Sequence, residues 1–143
     1  MLKYNTDKAQ KLLSEYLEAC QRLKELSQLD FLGFSSDPHK VASAKYHLII
    51  AIEAATDLCN HIIAGNSLRV PEDYADTFRI MGENGLIPKD FTITLEKMAK
   101  FRNRLVHRYW GVDTEFLYSI LCDNLGDLDR FLVEMRAGLK GSS

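Results

Sequence analysis

The chain has 143 residues, of which 46% are hydrophobic and 27% charged, a balance that suits one globular domain and excludes disorder or low complexity. A formal charge of −2 at pH 7 excludes a protein that coats nucleic acid by bulk electrostatics and leaves a local basic patch as the route to such a partner. No apolar run approaches the roughly 18 residues of a membrane span, because Leu48 to Ala55 is interrupted by Glu53 and the N-terminus turns polar at once; a cytoplasmic protein that meets no membrane is expected.

The first periodic stretch, about Thr6 to Leu29, places Ala9, Leu12, Leu13, Tyr16, Leu17, Cys20, Leu23 and Leu26 on one helix face, with Asn5 or Thr6 as N-cap. Asp30 to Asp37 reads as a loop whose Phe31, Leu32 and Phe34 pack down as an apolar plug. Asp37-Pro38 supplies an N-cap and a first helical residue, since proline's missing N–H costs nothing there. The helix it opens runs to about Ala64 and stops at Gly65-Asn66, a pair suited to the left-handed C-terminal position. Pro71 opens a shorter amphipathic helix carrying Tyr74, Phe78, Ile80 and Met81, which Gly85 ends. Pro88 precedes another, roughly Asp90 to His107, anchored by Phe91, Leu95, Met98, Leu105 and Val106. Beyond Gly111, Asp113 or Thr114 caps a last helix with Leu117, Leu121, Asn124 or Leu125, Leu128, Phe131 or Leu132, and Met135 at near-heptad spacing.

No stretch alternates with the two-residue period of a strand. The expectation is an all-α, up-and-down bundle of about five helices, three of them over about 20 residues long, on short connections. It forms one helical domain over residues 1–140 with a frayed tail at 141–143. Cys20, Cys59 and Cys122 include no C-x-x-C pair, so all three read as small apolar residues facing a core in a reducing compartment.

The most informative run is Lys97 to Trp110. Between 97 and 108 it holds five Lys/Arg, one His and no acid, so a nearly neutral chain concentrates positive charge there. A solvated helix face is one reading. Asn103 argues against it, being a poor helix former inside Phe101-Arg102-Asn103-Arg104-Leu105, and Tyr109 and Trp110 beside the charges suit stacking on bases or packing on a partner. Asn103 and His107 share one stripe, whereas Arg102 lies about 140° from His107 on an ideal helix. That spacing points to a site completed by another helix or by a second copy of the chain.

A second constellation is Glu53, Asp57 and His61, in line at i, i+4 and i+8. Two carboxylates and an imidazole suit a metal, a solvated stripe, or, since Ile52, Ala54, Ala55, Leu58 and Cys59 make the helix so apolar, a brace between the acids and Arg102. His39 and His47 read as structural or surface residues. No Gly-rich phosphate loop and no G-x-S-x-G occurs.

Arg102-Asn103-x-x-x-His107-x-Tyr109 is an R-x4-H-x-Y pattern near a helix end. With Tyr46, the run Ala51-Ile52-Glu53-Ala54-Ala55-x-Asp57, Pro71-x-x-Tyr74-x-x-x-Phe78, Leu86-Ile87 and Met98-Ala99-x-Phe101, it resembles the HEPN superfamily, and within it the HepT-type toxins. The resemblance implies a homodimer with both motif copies in a cleft at the two-fold interface. It also implies metal-independent ribonuclease activity in a toxin–antitoxin pair, and no cofactor. The implied partner is an MNT-type nucleotidyltransferase antitoxin that adds AMP to the motif tyrosine, here Tyr109.

On that resemblance the 2′-hydroxyl of RNA is the nucleophile. His107 serves as general acid and base, because an imidazole exchanges protons near neutral pH, and Arg102 offers a charged fork to the phosphorane. Asn103, Tyr109, Glu53 and Asp57 support them, Asn103 by orienting the His or donating to phosphate. Lys100, Arg104 and Arg108 hold the RNA backbone. AMP on Tyr109 adds bulk and negative charge that repel RNA. Two other readings stand beside this one: a non-catalytic subunit of a minimal nucleotidyltransferase, and a metal-dependent hydrolase built on Glu53, Asp57 and His61.

Overall fold

The computed structural model describes residues 2–140, so the tail expected at 141–143 lies outside the described residues. The described chain is all-helical: α1 (Thr6–Ser27), α2 (Phe31–Ser35), α3 (Pro38–Gly65), α4 (Tyr74–Glu83), α5 (Lys89–His107), a 3-10 turn (Tyr109–Gly111), α6 (Thr114–Asp123) and α7 (Leu125–Lys140). The all-α bundle is therefore as expected, with seven α-helices among the described residues in place of about five, and two longer than 20 residues, α1 with 22 and α3 with 28.

Each departure has a local cause. The expected loop before Pro38 holds α2, because the Asp30 side chain accepts the Gly33 N–H at 2.7 Å and caps it. Of the expected plug only Phe34 is buried; Phe31 and Leu32 face solvent. Pro71 does not open α4. Asp73 caps it by accepting the Asp76 N–H, so the proline lies in the approach. The last helix breaks at Asn124, which ends α6 and lets both Leu117 and Leu121 before it, and Leu128, Phe131 and Met135 after it, reach the core. Asn5, Asp37 and Asp113 cap α1, α3 and α6 through their side chains, supplying acceptors for first-turn N–H groups that have no helical partner.

At the end of α3 the left-handed residue is Ser67, φ 54°, two positions beyond Gly65. Gly65 serves a close approach instead: a Cβ there would lie 2.7 Å from the Lys3 carbonyl. Asn66 completes the join, its side chain accepting the Lys3 N–H and donating to the Lys3 carbonyl, each at 2.8 Å.

α1 and α3 pack along their lengths, and α4 packs on α5. Between them lie Tyr16, Leu23, Leu58, Ile62, Phe78, Phe91, Leu95 and Phe131, all at most 1% exposed. The Tyr16 hydroxyl donates to the Leu128 carbonyl at 2.7 Å, so the phenol is satisfied within the core. Cys20 and Cys59 are buried as expected, but Cys122 is exposed, since the break at Asn124 turns that face of α6 outward. α3 is long and apolar enough to cross a membrane by length and composition, yet 56% of that window is buried inside the bundle, as a core helix requires.

The approach to α4 is held by charge. Arg69 forks onto Asp76 at 2.7 and 2.8 Å and also reaches Glu83, while Arg79 bonds Asp76 and Glu96. Bidentate pairing of this kind fixes direction as well as distance. It sets the start of α4, and with it Tyr74.

Candidate functional site

Glu53 follows Ala51 and Ile52 and precedes Ala54 and Ala55, all four buried. Those residues fix the rotation of α3 and leave the carboxylate at the rim of the core. Arg102, from α5, crosses to it: Nη2 and Nε donate to the same Glu53 oxygen at 2.6 and 3.2 Å. Nη1 donates to Asn103 Oδ1 at 3.2 Å, and the guanidinium carbon lies 4.3 Å from the centre of the Tyr74 ring. The Arg102 side chain is only 15% exposed and that of Glu53 33%, so water screens this pair less than an exposed one.

The expected acid–arginine brace thus exists with one acid. Asp57, a turn further along α3, is exposed and makes no ion pair among the described residues. Partial burial first, then the carboxylates of Glu53 and Glu15, push its carboxyl above the usual carboxylate range. The metal reading of Glu53, Asp57 and His61 does not survive the geometry. Glu53 is engaged by Arg102, and His61 Nε2 accepts the Asn5 backbone N–H at 2.9 Å. No group of three His, Cys, Asp or Glu able to hold a metal occurs among the described residues. Asn103, expected to orient His107 or reach phosphate, spends its carbonyl oxygen on Arg102.

His107 is the last residue of α5; it is exposed and has no hydrogen bond or ion pair among the described residues. Lys100, Arg104 and Arg108 are also exposed, and the Arg104 guanidinium lies 5.9 Å and 5.6 Å from the Phe101 and Phe116 ring centres. Tyr109 opens the 3-10 turn, and the next residue, Trp110, is 87% exposed. Lys45, from α3, donates to the Tyr109 carbonyl at 2.8 Å and sits 4.4 Å from the centre of its ring.

The arrangement therefore offers a guanidinium held in place and a free imidazole beyond it on the same helix, flanked by cations and an exposed tryptophan. That suits an anionic, base-bearing chain. A separate cavity of about 440 Å³, walled by Leu48, Ile52, Met98, Phe101, Phe116 and Ile120, adjoins the cationic edge but is lined by none of Arg102, His107 and Tyr109.

Two residues here escaped the reading of the sequence. Tyr74 reads in the sequence as an apolar position of an amphipathic helix and as part of the Pro71-x-x-Tyr74-x-x-x-Phe78 pattern, with nothing to tie it to Arg102, which its ring carries. Lys45 was not singled out, although it stands seven residues before Ile52 and fourteen before Cys59, both buried, a register that places it on the core side of α3.

A bundle of this architecture with a basic, His-ending fifth helix is a HEPN-like fold, and solved structures of that class superpose on it. The tri-AMPylated HEPN toxin of Shewanella oneidensis in complex with its MNT antitoxin matches with a TM-score of 0.84 at 24% identity, over 93% of this chain and 99% of that one. YutE of Bacillus subtilis, a cytosolic protein of unknown function, matches with a TM-score of 0.84 at 22% identity, over 99% of this chain and 95% of that one. The family described as ribonuclease HepT-like matches residues 16–135; the chain belongs to it. The mRNA nuclease HepT of Shewanella oneidensis is 29% identical over 85 residues, 59% of this chain and 64% of that protein. The chain spans less than two thirds of the length of the curated relatives it matches.

Proposed function

We propose that the chain is the toxin of a toxin–antitoxin pair and a metal-independent endoribonuclease. The observation that carries this reading is the division of labour on α5: Arg102 is fixed on Glu53, Asn103 and Tyr74, while His107 stands exposed and uncommitted at the helix end. A fixed guanidinium stabilises charge without having to reorganise, and an uncommitted imidazole is available for proton transfer. In the reaction the RNA 2′-oxygen attacks the adjacent phosphorus, His107 takes its proton and passes one to the departing 5′-oxygen, giving a 2′,3′-cyclic phosphate and a free 5′-hydroxyl. Arg102 faces the non-bridging oxygens, and Lys100, Arg104 and Arg108 hold flanking phosphates.

The separation of about 140° between Arg102 and His107 on an ideal helix fits a homodimer in which one subunit's arginine works with the other's histidine. The antitoxin in this reading is an MNT-type nucleotidyltransferase, as in the Shewanella oneidensis complex. Tyr109 Oη attacks the α-phosphorus of ATP, the phenolic proton passes to solvent and pyrophosphate leaves. The resulting AMP places negative charge and bulk where RNA would lie. A cytoplasmic location belongs to the same reading, since its RNA substrate is there.

The test is cleavage of labelled single-stranded RNA in the presence of a chelator, with wild type, His107→Ala and Arg102→Ala prepared identically. Loss of cleavage in both variants supports the reading. Equal cleavage by wild type and His107→Ala overturns it.

A further inference from the structure

Two charged side chains are buried among the described residues, Asp76 and Lys45, at 3% and 7% exposure. Asp76 is paired with two arginines. Among the described residues Lys45 has no carboxylate within ion-pair distance; its ammonium meets the Tyr109 carbonyl at 2.8 Å and the face of the Tyr109 ring, 4.4 Å from its centre. The Lys45 stem is buried while its ammonium is only partly so, and an apolar residue of the same length fills the space around such a stem without a polar head to satisfy. Packing alone does not account for a lysine here.

The turn it touches needs an anchor. After His107 the backbone leaves helical geometry at Arg108, φ −136° and ψ 48°, and enters the 3-10 turn, none of whose residues is buried. Val112, 5% exposed, ties down the far end. Within the turn, the Gly111 N–H bonds back to the Arg108 carbonyl at 2.9 Å, which closes the turn on itself without fixing it to the bundle. Lys45 supplies that fixation twice over. One donor holds the main chain at Tyr109, and the charge attracts the π-face of the same residue, so the position of the turn and the tilt of the ring are set together.

We propose that Lys45 is a positioning residue: it clamps the Tyr109–Gly111 turn to α3 and so fixes the direction in which Tyr109 and Trp110 are presented beside His107. The role rests on the reading of Tyr109 and His107 as working residues. Its consequence for the nuclease is a kcat effect, because misdirection of groups beside the scissile phosphate slows the step without removing the cations that bind the strand.

The clamp itself is testable without any activity. Trp110 is the single tryptophan among six tyrosines, so fluorescence excited at the red edge, where tyrosine does not absorb, reports on the turn alone. Lys45→Met keeps the length and apolar stem and removes the charge; Lys45→Arg restores a charged donor. In the full chain, Lys45→Met is expected to lower Trp110 anisotropy and change its lifetime, while the circular dichroism spectrum stays unchanged and Lys45→Arg returns the signal toward wild type. With fluorescein-labelled single-stranded RNA in chelator, kcat is expected to fall roughly ten- to a hundredfold in Lys45→Met, with KM little changed, and to recover in Lys45→Arg. Tyr109→Leu provides the second variant, since it removes the ring and leaves the carbonyl bond; it is expected to give an intermediate anisotropy. Wild-type anisotropy in Lys45→Met, or failure of Lys45→Arg to restore it, overturns the clamp. A changed anisotropy with wild-type protein inert on RNA leaves the clamp standing and removes the nuclease reading instead.

Discussion

Arg102 and Glu53 come from helices that are distant in sequence, yet they meet through two hydrogen bonds to one carboxylate oxygen, at 2.6 and 3.2 Å. Neither side chain is fully exposed or fully buried. Removing the acid leaves a guanidinium that water reaches only in part. Glu53→Ala is expected to cost about 1–3 kcal/mol, below the 3–5 typical when a fully buried pair is broken. Glu53→Gln, which keeps an acceptor, is expected to cost less. Urea unfolding checks both, and no loss in Glu53→Ala rejects the pair as a stabilising contact.

Asp57 carries the opposite expectation. Its carboxyl is raised by partial burial and by neighbouring acids, so its ionised form opposes folding. A folded pKa above the unfolded one gives stability that appears as pH falls through the folded value and is lost above it. Asp57→Asn is therefore expected to be neutral to slightly stabilising at pH 7, with the advantage vanishing in acid. A clear loss at pH 7 would show a partner for this carboxylate that the structure lacks.

Arg102→Lys separates charge from shape. An ammonium keeps the charge but cannot bond Glu53 and Asn103 while lying flat against Tyr74. Cleavage is expected to drop about a hundredfold or more, the scale seen when one donor to a developing anion is removed, with stability falling far less. Full activity in this variant means that Arg102 acts as a charge only.

Asp76 should dominate the acid limb of stability. Arg69 hydrogen bonds hold its carboxyl well below the usual range, against the opposing effect of burial, with the Glu72 N–H and Arg79 adding to the lowering. A folded pKa below the unfolded one gives stability that is complete above the ordinary Asp value near pH 4 and drains as pH falls toward the folded value. The stability difference between wild type and Asp76→Asn is therefore expected to be constant from neutral pH down to about 5 and to shrink below about 4. A difference that does not change with pH rules out Asp76 as the acid-sensitive group.

The thiols divide in the same way. Burial pushes Cys20 up to about 11 and Cys59 higher still, and the thiolate is the reactive form. A disulfide reagent is expected to label Cys122 in the native protein and all three cysteines once it is unfolded. Native labelling of Cys59, read by mass spectrometry, would indicate opening of the α1–α3 contact.

Much of this fold is legible in the sequence because capping chemistry is local. Asn5, Asp37 and Asp113 announce their helices, and Arg102, Glu53 and His107 stand out by spacing. What escaped depends on contacts that spacing does not encode. A five-residue helix like α2 is held by one capping carboxylate. The break at Asn124 leaves the near-heptad pattern of leucines almost undisturbed. Tyr74 reads as one more apolar residue until α4 is docked on α5 and its ring is found beneath Arg102. Lys45 lies in a core register, but its reason is a carbonyl sixty-four residues away. Asp57 shows the reverse error: it shares a stripe with Glu53, and one turn of rise is enough to put it beyond Arg102.

Arg102 answers at once to α3 through Glu53, to α4 through Tyr74 and to its own helix through Asn103. A newly synthesised chain whose three segments have not yet docked has the motif complete in covalent terms but its guanidinium unaimed. Whatever chemistry that group performs is thereby deferred to the finished bundle, and a chain whose three helices come apart loses the aim of its guanidinium with them.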